Sequence, residues 1–134
     1  CIVVSVDAKL VGNEFFVFSN FGKTNSNIKV SDWLKIVQDE GAGEILLNSI
    51  DNDGLGLGYN TELFEQIPNE IKIPIIVCGG VGDYLDFEEG LINPKIDAVA
   101  AANIFHYRDQ SVYLAKKHLY DEGYDVRKPD LLDI

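Results

Sequence analysis

Four short apolar runs, over residues 2–6, 44–48, 74–77 and 98–102, recur along the chain with helix-patterned segments between them. Runs of this length, bounded by Gly, Asp and Asn, suit strands of a parallel sheet covered on both faces. The intervening segments carry apolar residues at helical spacing. The first has Val30, Trp33, Leu34 and Val37, with Ser31 expected as its cap and Gly41 just past its end. The second is short, with Leu63, Phe64 and Ile67 behind an expected Thr61 cap. The third has Tyr84, Phe87 and Leu91 on one face, opened by Asp83, and the last runs from Ser111 to Tyr120 and is closed by Gly123. Between the first run and its helix lies an excursion. Residues 14–19 (EFFVFS) and the segment after Gly22 predict a hairpin.

Strands alternating with helices in this way predict parallel βα units joined by right-handed crossovers. Half of a (β/α)₈ barrel and a small doubly wound sheet both satisfy the pattern. Ser5-Val6-Asp7 and Ser49-Ile50-Asp51 echo each other, each read as closing a strand. Carboxylates at the C-terminal ends of successive barrel strands face one mouth.

With 134 residues, 46% of them apolar, the chain is expected to form a single domain over residues 1–134 with a real core. It begins Cys-Ile-Val-Val-Ser-Val, inside a strand and without Met, so the expectation is a piece of a longer protein. The net charge of −11 argues against nucleic acid and anionic membrane, where clustered Lys and Arg are needed. It also disfavours a phosphorylated ligand, unless backbone N–H groups supply the positive potential. Two cysteines, Cys1 and Cys78, form no CxxC motif, and the apolar runs are too short to span a bilayer. A cytoplasmic location is expected.

The anion cradle is sought where glycines follow strands. Cys78-Gly79-Gly80-Val81-Gly82 leaves the third run, and Ala101-Ala102-Asn103 leaves the fourth toward a helical turn at Asn103-Ile104-Phe105. Barrels commonly build phosphate sites from their last two strand-end loops. The plainer reading gives these glycines a role in tight turns alone. Asp7 ends the first run, where burial suits general-acid or general-base duty; a helix cap or an ion pair with Lys9 is the alternative. Asp51-Asn52-Asp53-Gly54 resembles a calcium loop but lacks the closing Glu, so Asp53 is read as a second carboxylate over the mouth. His106 and His118 have no ligand-spaced partners, and no metal or cofactor is expected.

Several of these segments stand in the order of one family. Val6-Asp7-Ala8-Lys9, Gly41-Ala42-Gly43-Glu44-Ile45-Leu46-Leu47, Ser49-Ile50-Asp51-Asn52-Asp53-Gly54 with Gly58-Tyr59, Gly79-Gly80-Val81-Gly82 and Ile104-Phe105-His106 are similar to the cyclase subunit of imidazole glycerol phosphate synthase. The resemblance runs from residue 1 to about Arg127 and implies the C-terminal half of an α/β (β/α)₈ TIM barrel, its strands five to eight plus a hairpin.

That resemblance implies a reaction. Ammonia from a glutaminase amidotransferase subunit cleaves and cyclises a bis-phosphorylated formimino ribonucleotide, giving imidazole glycerol phosphate and an aminoimidazole carboxamide ribotide. Asp7 matches one of two essential aspartates, Asp53 a supporting one, and Glu44 a member of a charged ammonia gate. Lys9, Gly54, Gly79, Gly80, Ala102 and Asn103 fall at substrate- or phosphate-binding positions. The other aspartate and second phosphate site would lie on the missing N-terminal half-barrel, or a second copy would fill its place. Leu55, Cys78, Asn103 and Asn60 depart from the usual Thr, Ser, Ser and Asp, removing hydroxyl contacts but sparing backbone ones. Val17-Phe18-Ser19-Asn20 and Val126-Arg127-Lys128-Pro129 also resemble a paralogous branch that amidates sugars for surface polysaccharides. A non-catalytic phosphate-binding βα module is the remaining alternative.

Overall fold

A computed structural model describes residues 1–107 and 112–129. Its six strands form one sheet in the order β3-β2-β1-β4-β5-β6. They are β1 (Val3–Val11), β2 (Glu14–Ser19), β3 (Thr24–Lys29), β4 (Glu44–Ser49), β5 (Ile75–Cys78) and β6 (Ala98–Val99). The helices are α1 (Val30–Asp39), α2 (Thr61–Phe64), α3 (Tyr84–Ile92), α4 (Ile104–Tyr107) and α5 (Val112–Asp121). Strands β1, β4, β5 and β6 pair in parallel, as the four apolar runs predict, while β1, β2 and β3 are antiparallel neighbours.

Strand β1 does not end before Asp7. It pairs in parallel with β4 as far as Ala8 opposite Ser49, and from Asp7 onward it also pairs with β2. The second ladder carries the strand on to Val11, where Gly12 at φ 64° turns it back. The expected hairpin thus joins the sheet through β1 and continues into β3. On the side facing away from β4, residues 3–6 of β1 have no strand partner among the described residues. Beyond β6 there is none either.

The two faces of the sheet differ, which corrects the expectation of strands covered on both sides. Val6, Ala8, Ile45, Leu47, Ile75 and Val77 are each at most 2% exposed. They join Val30, Leu34, Leu63, Phe87 and Leu119 of the helical layer in one core cluster. Their sequence neighbours Asp7, Leu46, Asn48, Ile76 and Cys78, on the other face, are only half-buried. A doubly wound sheet would bury both faces equally. One helix-covered face and one open face is the arrangement of a half-barrel, whose open face becomes interior when the barrel closes.

Local details also depart from expectation. Helix α1 starts at Val30 behind Lys29, with no side-chain cap, so Ser31 lies in its first turn. Asn60 rather than Thr61 caps α2, accepting from the Leu63 amide. Asp83 does cap α3, in a reciprocal capping box with Asp86. Strand β6 stops at Val99 rather than running to Ala102; a further bond from the Ala100 amide to Val77 follows it, but no outer strand extends the ladder among the described residues. The last helix is described from Val112, and its expected start at Ser111 lies outside the described residues.

Candidate active site at the C-terminal strand ends

Register places three side chains in a row across the open face. Asp7 is level with Asn48, and Asn48 with Cys78. The Asn48 Nδ2 donates to Asp7 Oδ1 at 3.1 Å. Cys78 is followed directly by Gly79 and Gly80, so Asp7 and the glycine turn occupy the same end of the sheet. Burial, with the nearby negative charge of Asp53, pushes the Cys78 thiol up from its ordinary value of 9.0. It stays protonated and poorly suited to nucleophilic work.

Three loops converge beside this row. Asp53, Gly54, Gly79, Gly80, Ala102 and Asn103 line one small concavity, together with Cys78 and its neighbours. The residues sought as an anion cradle are therefore brought together, although the volume is about 10 Å³, on the scale of a single water. Asn103 spans the space, its Nδ2 donating to the Gly54 carbonyl at 3.0 Å.

The glycines have a packing role of their own. A Cβ on Gly80 would lie 2.0 Å from the Gly58 carbonyl oxygen, and one on Gly79 would lie 2.5 Å from that of Ser49. The Gly58 amide donates to the Gly80 carbonyl at 2.9 Å, so the loops after β4 and β5 touch backbone to backbone. Asn52 holds the first of these loops, accepting from Ser49 Oγ at 3.3 Å and donating to the Gly58 carbonyl at 3.3 Å.

Lys9 points from the same face as Asp7 but bonds elsewhere. Its Nζ lies 3.1 Å from Asp51 Oδ1, and the other Asp51 oxygen accepts from the Leu10 amide at 3.2 Å. The alternative of an Asp7–Lys9 ion pair is not what forms. The Ser-x-Asp echo does not mark equivalent positions either. Ser5 is level with Leu46, and Asp51 lies past the strand, so Asn48 is the true counterpart of Asp7. Nothing in composition or motif singles out Asn48; its signal is positional and needs the register.

Glu44 stands at the opposite end of β4, near Cys1 Sγ at 3.9 Å, four residues and roughly 13 Å from Asn48 at 3.3 Å per residue. His118 is used locally, with Nε2 2.5 Å from Glu88 Oε1 and its ring stacked on Tyr84. Among the described residues no group of three or more His, Cys, Asp or Glu could hold a metal ion. No helix among them is long and apolar enough to cross a membrane.

Residues 1–111 match the family model described as "Histidine biosynthesis protein". Among relatives, the chain is 41% identical over 126 residues to the imidazole glycerol phosphate synthase subunit HisF of Chlorobaculum parvum. It is 42% identical over 127 residues to that of Dehalococcoides mccartyi and 38% over 126 residues to that of Chlorobium phaeobacteroides. These matches cover 94–95% of the chain but 50% of each relative, so the chain spans about half the length of the proteins it resembles.

Proposed function

This chain belongs to the histidine biosynthesis protein family, and we propose that it is the C-terminal half of an ammonia-using cyclase. In this reading its substrate is a bis-phosphorylated formimino ribonucleotide, and its products are imidazole glycerol phosphate and an aminoimidazole carboxamide ribotide. The observation that carries the reading is the convergence of Asp7, Asp53 and the Gly79/Gly80 and Asn103 turns at one end of the sheet. A carboxylate positioned beside a backbone-lined concavity can transfer a proton within a substrate anchored by its phosphate.

Asp7 serves as general acid or base on the reacting centre, and Asp53 supports the substrate beside it. Backbone groups around Gly54, Gly79, Gly80, Ala102 and Asn103 hold one terminal phosphate once the Asn103 side chain swings aside. Lys9 exchanges Asp51 for the substrate. Glu44, at the far end of the open face, belongs to the entrance through which ammonia arrives from a glutaminase partner.

Completion of the site requires a second half. Among the described residues, the uncovered sheet face, the side of residues 3–6 that faces away from β4 and the outer side of β6 all favour four further βα units closing the barrel. A groove of about 510 Å³ runs along β6, walled by Phe87, Leu91, Leu119 and Val126, and offers apolar surface to such units.

The test is incubation of the full-length protein with the formimino ribonucleotide and an ammonium salt. Release of imidazole glycerol phosphate is expected, and its absence at saturating ammonium would overturn the reading. The tightness of the concavity under Asn103 favours one second reading, amidation of a sugar lacking that phosphate, which incubation with ammonium, a uronate sugar and ATP to activate its carboxyl group would reveal.

A further inference from the structure

We infer that Asn48 is a positioning residue, whose side-chain amide orients the Asp7 carboxylate for proton transfer; this deepens the cyclase reading and rests on it. Asn48 and Asp7 face each other across the parallel β1–β4 ladder, where neither backbone can slip without shifting the whole register. The contact is a donor–carboxylate bond of 3.1 Å from Nδ2 to Oδ1. Its polarity is fixed, because turning the amide over would set a carbonyl oxygen against a carboxylate.

The other end of the same amide supplies a second, independent observation. Asn48 Oδ1 is buried and has no hydrogen-bond partner. It lies against Gly79, where a Cβ would come within 2.9 Å of it. Buried acceptors are normally satisfied, and one left open points to strain or to a role. An amide whose only purpose was packing would be better replaced by Leu, which has nearly the same shape and no orphan atom. The bond to Asp7 is what the polar side chain provides. A carboxylate held by one oxygen keeps the other in a fixed direction, at the same end of the sheet as Cys78 and Gly79.

Two measurements separate this role from a structural one. In ¹H–¹⁵N spectra of the chain itself, Asp7→Ala should shift the Asn48 side-chain amide resonance while the backbone amides of Ile45 and Leu47 stay in place. An Asn48 amide indifferent to Asp7 overturns the inference, whatever the activity. In the full-length protein with ammonium as nitrogen donor, Asn48→Leu and the equally sized Asn48→Asp should each lower kcat by about 100-fold, the scale of a misplaced reacting group, with KM within about twofold. A rise in KM at unchanged kcat, or wild-type kinetics in either variant, would overturn it. A wild-type protein silent toward the formimino ribonucleotide would instead sink the cyclase reading, with the spectral result still deciding the Asn48–Asp7 bond by itself.

Discussion

Lys9 and Asp51 form an ion pair, Nζ to Oδ1 3.1 Å, that ties the far arm of β1 to the loop after β4. Both side chains are more than a third exposed, at 41% and 37%, so solvent screens the attraction. Lys9→Met should therefore change unfolding free energy by less than about 1 kcal/mol in urea titrations. If Lys9 also meets substrate, the same variant should raise KM severalfold in the full-length protein. A large stability loss with unchanged KM would assign Lys9 to structure.

Gly80 sits at φ 113° with the Gly58 carbonyl where its Cβ would be. Gly80→Ala must push the loops after β4 and β5 away from each other and strain the backbone as well, costing roughly 3 kcal/mol from overpacking and left-handed geometry. Thermal unfolding checks this. A melting point within a degree or two of the wild type would show that the loops are not locked as described.

Alkaline pH gives a signed prediction. Burial raises both the Cys78 thiol and the Tyr59 phenol above their ordinary values of 9.0 and 10.0. Above those values the unfolded chain releases protons that the folded chain retains, so stability is fully present below pH 9 and falls as pH rises further. Cys78→Ala should remove the onset of that decline. Alkylation offers a parallel check, since the exposed Cys1 should react well before Cys78.

The open face and free edges predict association. In sedimentation at tens of micromolar, the chain by itself should run as a dimer or larger species. A monodisperse monomer would count against the half-barrel edges being sticky.

What is legible in the sequence follows from what periodicity encodes. The parallel strands, the hairpin and the Asp83 cap were legible because apolar runs and capping residues act locally. The glycine loops were legible as a cluster, but their cause was not. Gly79 and Gly80 answer to Ser49 and Gly58, about thirty and twenty-two positions away, and no local pattern records that. The extension of β1 past Val6 is not legible locally, because its second partner, β2, arrives only after the turn at Gly12. Asn48 carries no local signal for the same reason, since its relation to Asp7 exists only in the β1–β4 register. The Ser-x-Asp echo carries no register, because equal motifs need not be level in a sheet.

The most direct test of the central claim is turnover of the formimino ribonucleotide by the full-length protein with Asp7→Asn, alongside inorganic phosphate binding. Cyclisation is expected to disappear while phosphate affinity stays within about twofold, since the carboxylate is proposed to act at the reacting centre and Asp7 does not line the concavity. Wild-type turnover without the Asp7 carboxylate would contradict it.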